Sequence, residues 1–471
     1  MMREGVFRRN SKDGGHYHSN WLSMMYPRLF LARNLLRDDG VLFVSIDDNE
    51  AHNLRILLNE IYGEENFVGT IVRGTGQTTG QDSNRFGSSF DYVLAYSKTE
   101  EFNVGGIPLS EKDIQRFSDE DDKGKYAYWQ LRKTGSSDRR EDRPTMFYSI
   151  TAPDGSSIFP IGPGGYESRW RFEKKTYDKM VGDNMILWKK VKRNGNDTYW
   201  PYVKYYLEGR TKRPSPLWND IDGSKKATRD LKALFGEKVF NNPKPVALIR
   251  RLLEISTESD SAEIVLDFFA GTATTAEAIH VHNIEDAGNR QYIMVQLAEE
   301  IENEEYSTIS DIGMERIRRV IKKIKKNNPM FADNGQDLGF KAFKLKKSNF
   351  KLWRGDGIES PEDLEQQLEM LTDPVRPEAL EENMLFELLL KAGYPLTTQV
   401  DKREMKNKHY YLVDGELAIA LSHLGDEIIK EILEQSPKQV ICLDSLFKDD
   451  DALKTNTQLQ FKDAGIAFHS I

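Results

Sequence analysis

Cysteine is nearly absent: Cys442 is the only one in 471 residues. No intrachain disulfide and no multi-cysteine zinc site can form, and a reducing compartment is expected. Long apolar runs are missing as well. No stretch of eighteen apolar residues occurs, and the N-terminal Met1-Met2-Arg3-Glu4-Gly5 lacks the apolar core of a secretory signal. Membrane insertion and secretion are therefore not expected, and a cytoplasmic location is. The Gly-x-Gly-x-x-Gly fingerprint of a dinucleotide site is lacking too, which argues against a nicotinamide oxidoreductase. What remains is an ordinary globular composition, 38% hydrophobic and 30% charged. The length allows roughly three domains of about 150 residues.

The net charge of −9 is unevenly spread. From Glu359 onward 23 acidic residues face 11 basic ones, a net of −12, which leaves the preceding part slightly positive. Within it, Ser168 to Arg213 holds 13 Lys/Arg against 5 Asp/Glu, interleaved with Trp170, Phe172, Tyr177, Trp188, Tyr199, Trp200, Tyr202, Tyr205 and Tyr206. Cations among stacking side chains suit a polyanion surface. A solvated basic face over an aromatic core would give the same composition.

Helical spacing over 21–38, the run Val41 to Ile46, and a helix after Asp47 to Glu50 that ends at Gly63 form an alternating pattern. With a strand at 92–96 this predicts a parallel sheet. The Gly/Thr/Ser-rich segment Gly74 to Ser89 is expected to be a mobile or ligand-ordered loop. Asp47 accounts for the start of the helix as its cap. His16 and His18 are expected to be solvated, and His280 and His282, two apart on a helix, point apart and make a poor metal pair; no metal site is expected. Short aromatic and β-branched runs from about Thr99 to Leu231 then read as an irregular β-rich insert. The rhythm returns with a helix over 245–255, a strand over 263–267, a helix from Thr274, a strand over 292–296 and a helix over 311–326. In the acidic tail a hairpin turns at Asp414-Gly415.

The segment Leu266-Asp267-Phe268-Phe269-Ala270-Gly271-Thr272-Ala273-Thr274-Thr275 carries the most chemistry. A buried strand ends in an acid, a glycine lets the backbone turn beside a ligand, and Thr274 or Thr275 can cap the next helix. A pyrophosphate would want more glycines; S-adenosylmethionine, a mononucleoside without phosphate, does not. Phe240-Asn241-Asn242-Pro243-Lys244-Pro245 precedes this segment, and Gly288 to Leu297 supplies the next strand with Gln296 at its end.

Together these motifs resemble DNA amino-methyltransferases. The run His18-Ser19-Asn20-Trp21-Leu22-Ser23-Met24-Met25-Tyr26-Pro27-Arg28-Leu29, with Asp39 to Glu50, is similar to the modification subunit of type III restriction-modification systems. The resemblance covers roughly His16 to Lys98 and Arg143 to Trp353. It implies an α/β fold: a methyltransferase-type, Rossmann-like sheet with permuted motif order, an inserted β-rich target-recognition domain and a small C-terminal α/β domain. The implied boundaries are 1–98 for the catalytic half, 99–231 for the insert, 232–358 for the cofactor half and 359–471 for a partner-facing tail. The implied reaction is methyl transfer from S-adenosylmethionine to adenine N6 in double-stranded DNA, with the base drawn out of the stack. Asp267, Phe268, Phe269, Gly271 and Thr272 would line the cofactor, Pro243 and Lys244 would border its methionine end, and Gln296 would sit by the ribose. Arg169, Arg171, Lys189, Lys190, Lys192 and Arg193 would face DNA. The implied partners are a restriction (helicase/nuclease) subunit and a second copy of the chain.

Two departures stand out. The family's catalytic Asp-Pro-Pro-Tyr does not occur, the only Asp-Pro being Asp373-Pro374, so no catalytic residue is assigned. The fifteen residues before His16 leave no room for that motif and its strand, and truncation at the start is expected, leaving a chain that binds cofactor and methylates poorly; the alternative is a silent DNA-binding or assembly fragment. Ala273 stands where many relatives have a second glycine, which matters only if the backbone there needs a positive φ.

Overall fold

The computed structural model describes residues 15–76, 89–193, 196–327, 337–351, 353, 355, 358–371, 374–447 and 450–471. It divides into two compact units, 1–338 and 339–471. The expected loop Gly74 to Ser89 lies for the most part outside the described residues, as does Asp373.

In the first unit, α1 (Tyr17–Leu35) buries Met25, Leu29 and Ala32. It packs with α2 (Ala51–Tyr62) over one face of β1 (Val41–Ile46), where Leu42, Val44 and Ile46 join Leu54, Leu58 and Ile61. Phe43 points to the other face, so β1 is apolar on both sides from Val41 to Val44, and the exposed Ser45 follows. The sheet continues with β2 (Phe67–Gly74) and β3 (Phe90–Ser97) in the order β1-β3-β2. Here the expected parallel sheet is corrected: β3 runs antiparallel to both neighbours. The unit β1-α2-β2 is a crossover whose strands run in one sense, and β3 enters between them from the opposite direction. The strand read at 92–96 is thus the antiparallel one, and the strand parallel to β1 is β2, which the alternating pattern did not include.

The Asp47 cap is also corrected. Glu50 is the N-cap residue of α2, without a side-chain cap bond, while Asp47 Oδ1 accepts from the Asn49 N–H at 3.0 Å in a local turn.

The insert contributes β4 (Asp119–Asp121), β5 (Gly124–Gln130), β6 (Ile186–Arg193) and β7 (Asn196–Tyr206), an antiparallel sheet in the order β4-β5-β7-β6. Its core gathers Leu131, Ile150, Trp170, Tyr177, Trp200 and Val203. The chain then returns: β8 (Leu217–Trp218) pairs parallel with β2 and closes that edge. After α3 (Ser224–Phe235), α4 (Val246–Glu254) lays Leu248 and Leu252 against β2 and β3, while Leu253 packs on the last part of the unit. That part is β9 (Ile264–Asp267), α5 (Thr274–Asp286), β10 (Gln291–Met294) and α6 (Ile309–Asn327), with β9 and β10 parallel.

The second unit is a mixed sheet of β11 (Val400–Met405), β12 (Lys408–Val413), β13 (Leu417–Ala420), β14 (Gln439–Cys442) and β15 (Ala467–Ser470), in that order. One face is covered by the helix Glu381–Lys391, the other by helices Asp426–Gln435 and Asp451–Asp463. The turn between β12 and β13 places Asp414 and Gly415 at φ 50° and 69°, the hairpin geometry that this residue pair favours. Cys442 is buried on β14, and burial pushes its thiol up to about 12.

Candidate functional site

The strand β9 ends at Asp267, and the chain must reverse within six residues to begin α5. Gly271 takes φ +52° and Ala273 takes φ 57°, ψ 42°, both left-handed. For glycine that conformation is free, whereas for alanine it costs about 1–2 kcal/mol because Cβ crowds the carbonyl. Ala273 is thus the N-cap of α5 and offers no side-chain cap bond. The expected capping by Thr274 or Thr275 is corrected accordingly: both lie inside the helix and their hydroxyls go elsewhere. Thr275 donates to Asp267 Oδ2 at 2.6 Å, and Thr274 Oγ1 accepts from Arg316 Nη1 at 2.7 Å.

Asp267 therefore organises the turn, since its other oxygen accepts the Phe269 N–H at 3.1 Å. Gln296, just beyond β10, takes the Gly271 N–H on its Oε1 at 2.7 Å and donates from Nε2 to the Leu297 carbonyl at 3.1 Å. The Ala270 N–H reaches the Val295 carbonyl at 3.2 Å. Phe268 and Phe269 lie with ring centroids 5.3 Å apart, and Phe269 is 54% exposed. Space over Gly271 is open: a Cβ built there would meet only the Phe269 carbonyl, at 3.9 Å. Thr272 is buried, with its hydroxyl 3.0 Å from Arg316 Nη1, so it faces inward. Asp267, Phe268, Phe269, Gly271, Thr272 and Gln296 are thus brought together. Pro243 is buried and Lys244 exposed, and the Lys244 ammonium lies 3.5 Å from Asp91 Oδ2, at the ends of β2 and β3.

Sequence reasoning misses Arg316. A charged residue inside the apolar stripe of α6 gives no sign of its purpose until Glu277, on α5, is seen to accept from its Nε at 2.6 Å. His18 is exposed, as expected, and its Nδ1 also lies 2.7 Å from Oε1 of the buried Glu50, whose other oxygen accepts from Asn53 at 2.7 Å. His280 lies 3.1 Å from the Tyr292 hydroxyl, and burial pushes its imidazole down to about 4. His282 goes to Asp286 instead, 3.7 Å away.

This geometry coincides with a match to the family model described as DNA methylase, over residues 5–307. The chain belongs to the DNA methylase family. It is 34% identical over 346 residues to the type III restriction-modification enzyme StyLTI Mod subunit of Salmonella typhimurium, covering 72% of this chain and 50% of that protein. To the EcoPI Mod subunit of Escherichia phage P1 it is 30% identical, covering 90% of this chain and 67% of that one. To the type II methyltransferase M.KpnI of Klebsiella pneumoniae it is 30% identical, covering 66% and 76%. The methylase chain thus spans half the length of the first of these relatives and about two thirds of the second.

Within the insert of this methylase-family chain, the expected DNA-facing cations separate into two groups. Arg169 is corrected from a surface cation to a packing one. It is 9% exposed and donates from Nε to the Ser137 carbonyl at 2.7 Å, while its own carbonyl accepts the Lys133 N–H at 2.9 Å. Arg171 is half-buried, donates to the Gln130 carbonyl at 2.9 Å and lies over the Trp129 ring, and burial lowers its affinity for its proton. By contrast Lys190 and Lys192 are exposed, and the Lys189 ammonium sits 3.5 Å above the Tyr128 ring centroid. Arg193 ends β6 opposite Asn196, and its side chain lies outside the described residues. No described helix is long and apolar enough to cross a membrane.

Proposed function

We propose that this chain is an S-adenosylmethionine-dependent DNA methyltransferase of the type III restriction-modification kind, acting on adenine N6 in double-stranded DNA with a restriction subunit and a second copy as partners. The observation that carries the reading is the open turn after β9, an acid-ended parallel strand followed by a loop with free space over Gly271. The fit to the cofactor is chemical. The turn offers aromatic surface and backbone polar groups without a phosphate cradle, which suits a nucleoside carrying a sulfonium.

When bound, that cofactor supplies an electrophilic methyl group. Phe268 and Phe269 give it an apolar wall, and Gln296 and Asp267 hold the loop that receives it. Lys244 and Pro243 border the methionine end. Lys189, Lys190, Lys192 and Arg193 take backbone phosphates, which orient DNA without reading it. The acidic second unit, a poor DNA surface, suits protein contact.

The test is titration calorimetry with S-adenosylmethionine, followed by transfer of labelled methyl to unmodified genomic DNA. Binding with weak incorporation is the expected result, because the Asp-Pro-Pro-Tyr motif does not occur; strong incorporation would mean that other residues take its place. Binding without incorporation would assign the chain to recognition and assembly instead, and no binding would remove the cofactor assignment.

A further inference from the structure

The turn between β9 and α5 carries two left-handed residues, one of them an alanine, so its shape is imposed by what surrounds it. Much of that constraint comes from α6. Arg316, 3% exposed, donates from Nη1 to the Thr272 carbonyl at 3.3 Å, to the Thr272 hydroxyl at 3.0 Å and to the Thr274 hydroxyl at 2.7 Å. Its Nε donates to Glu277 Oε2 at 2.6 Å. One guanidinium thereby spans the loop and the first turn of α5. One turn earlier on α6, Gly313 lets the helix come close: a Cβ there would stand 3.4 Å from the Gly271 carbonyl oxygen and 3.5 Å from the Ala273 Cβ.

A buried guanidinium is costly unless its charge and its donors are met. Glu277 meets the charge. Nη1 converges on the two threonines that flank the strained Ala273, where an apolar side chain would fill the same space without fixing a carbonyl. We propose that Arg316 is a positioning residue for cofactor binding, holding the loop Phe268 to Ala273 in its receptive conformation without touching the ligand. This rests on the cofactor reading above. A loop already ordered before binding loses less freedom on binding, so the effect falls on affinity.

The experiment compares the full chain with Arg316→Lys, Thr274→Val and the paired replacement Arg316→Met/Glu277→Leu, which removes the ion pair without stranding either charge. Dissociation constants for S-adenosylmethionine are measured by calorimetry, amide exchange over 268–275 by mass spectrometry, and folding by circular dichroism. The paired replacement is expected to weaken binding roughly tenfold or more and to speed exchange in the loop. Arg316→Lys, keeping the charge and part of the contacts, is expected to fall between it and the parent. A folded paired variant that binds within about twofold of the parent, with unchanged loop exchange, overturns the proposal and leaves the cofactor reading intact. If the paired variant does not fold, parent-like affinity and exchange in both single variants overturn it equally. No binding by the parent chain overturns the cofactor reading, and this proposal with it.

Discussion

Arg73 and Asp91 face each other across adjacent strands, both buried, joined by two parallel hydrogen bonds of 2.9 Å and 2.6 Å. The pair closes the end of the β2–β3 ladder, and the Lys244 ammonium approaches the same carboxylate from the segment that precedes α4. Removing one member leaves the other charged and without its partner inside the protein. Asp91→Ala is therefore expected to cost about 3–5 kcal/mol, while the double replacement Arg73→Met/Asp91→Leu recovers most of that loss. Urea unfolding of the three proteins checks it. A single variant that unfolds at the parent's midpoint would mean that the pair contributes nothing net.

Ala273 gives the opposite expectation. Its left-handed backbone strains any residue with a Cβ, so Ala273→Gly relieves about 1–2 kcal/mol and gives back part of it through the freer unfolded chain. The net expectation is a gain of roughly 0.5–1 kcal/mol. Ala273→Val, β-branched at the same φ, is expected to be less stable than the parent. Denaturant midpoints that ran the other way would show that the turn relaxes when its side chain changes.

These two sites show what was legible in the chain and what was not. Val41–Ile46 is a strand because five apolar residues spread over both faces have no other use in so short a segment, and Asp414-Gly415 is a turn because those residues take φ above zero readily. Phe67–Gly74 escaped because Gly69 sits at a register shift and Arg73 interrupts the apolar pattern, its partner Asp91 being distant in sequence. Arg316 and the Glu50 contact of the exposed His18 escaped for the same reason: a lone charged or titratable residue discloses its partner, Glu277 or Glu50, only once another element is in place. The strain at Ala273 was legible only as a condition, since alanine does not itself report the sign of φ, and the structure meets that condition with φ 57°. The loop after β9 was legible as a site because strand, acid and glycine are local to it.

His280 makes the stability of the first unit depend on pH. It is 4% exposed beside Tyr292, and burial holds its imidazole near 4, with Asp337 pulling slightly the other way. In the unfolded chain the ring takes its proton near 6.5. Between those values the unfolded state binds a proton that the folded state refuses, so stability falls as pH drops from about 6.5 toward 4 and levels off below. The full loss is on the order of 3 kcal/mol for this group. His280→Gln is expected to flatten that part of the profile. Urea midpoints at successive pH values for parent and variant test it, and parallel profiles would show that other groups dominate.

On the insert, exposure decides which cations can meet DNA. Each phosphate neutralised releases counterions, so the slope of log K against log salt changes by about 0.9 for every phosphate that is no longer neutralised. Charge reversal of Lys189, Lys190, Lys192 and Arg193 is therefore expected to weaken binding across all sequences and to flatten the salt dependence. Arg169→Ala provides the contrast: its guanidinium is engaged inside the insert with Ser137, so it is expected to lower stability and leave the slope unchanged. Fluorescence anisotropy with duplex DNA across a salt series reads both quantities. If the reversed lysines bind at low salt as the parent does, the strand Ile186–Arg193 is not the DNA surface. If Arg169→Ala flattens the slope while the fold melts normally, its side chain must leave its buried position when DNA arrives.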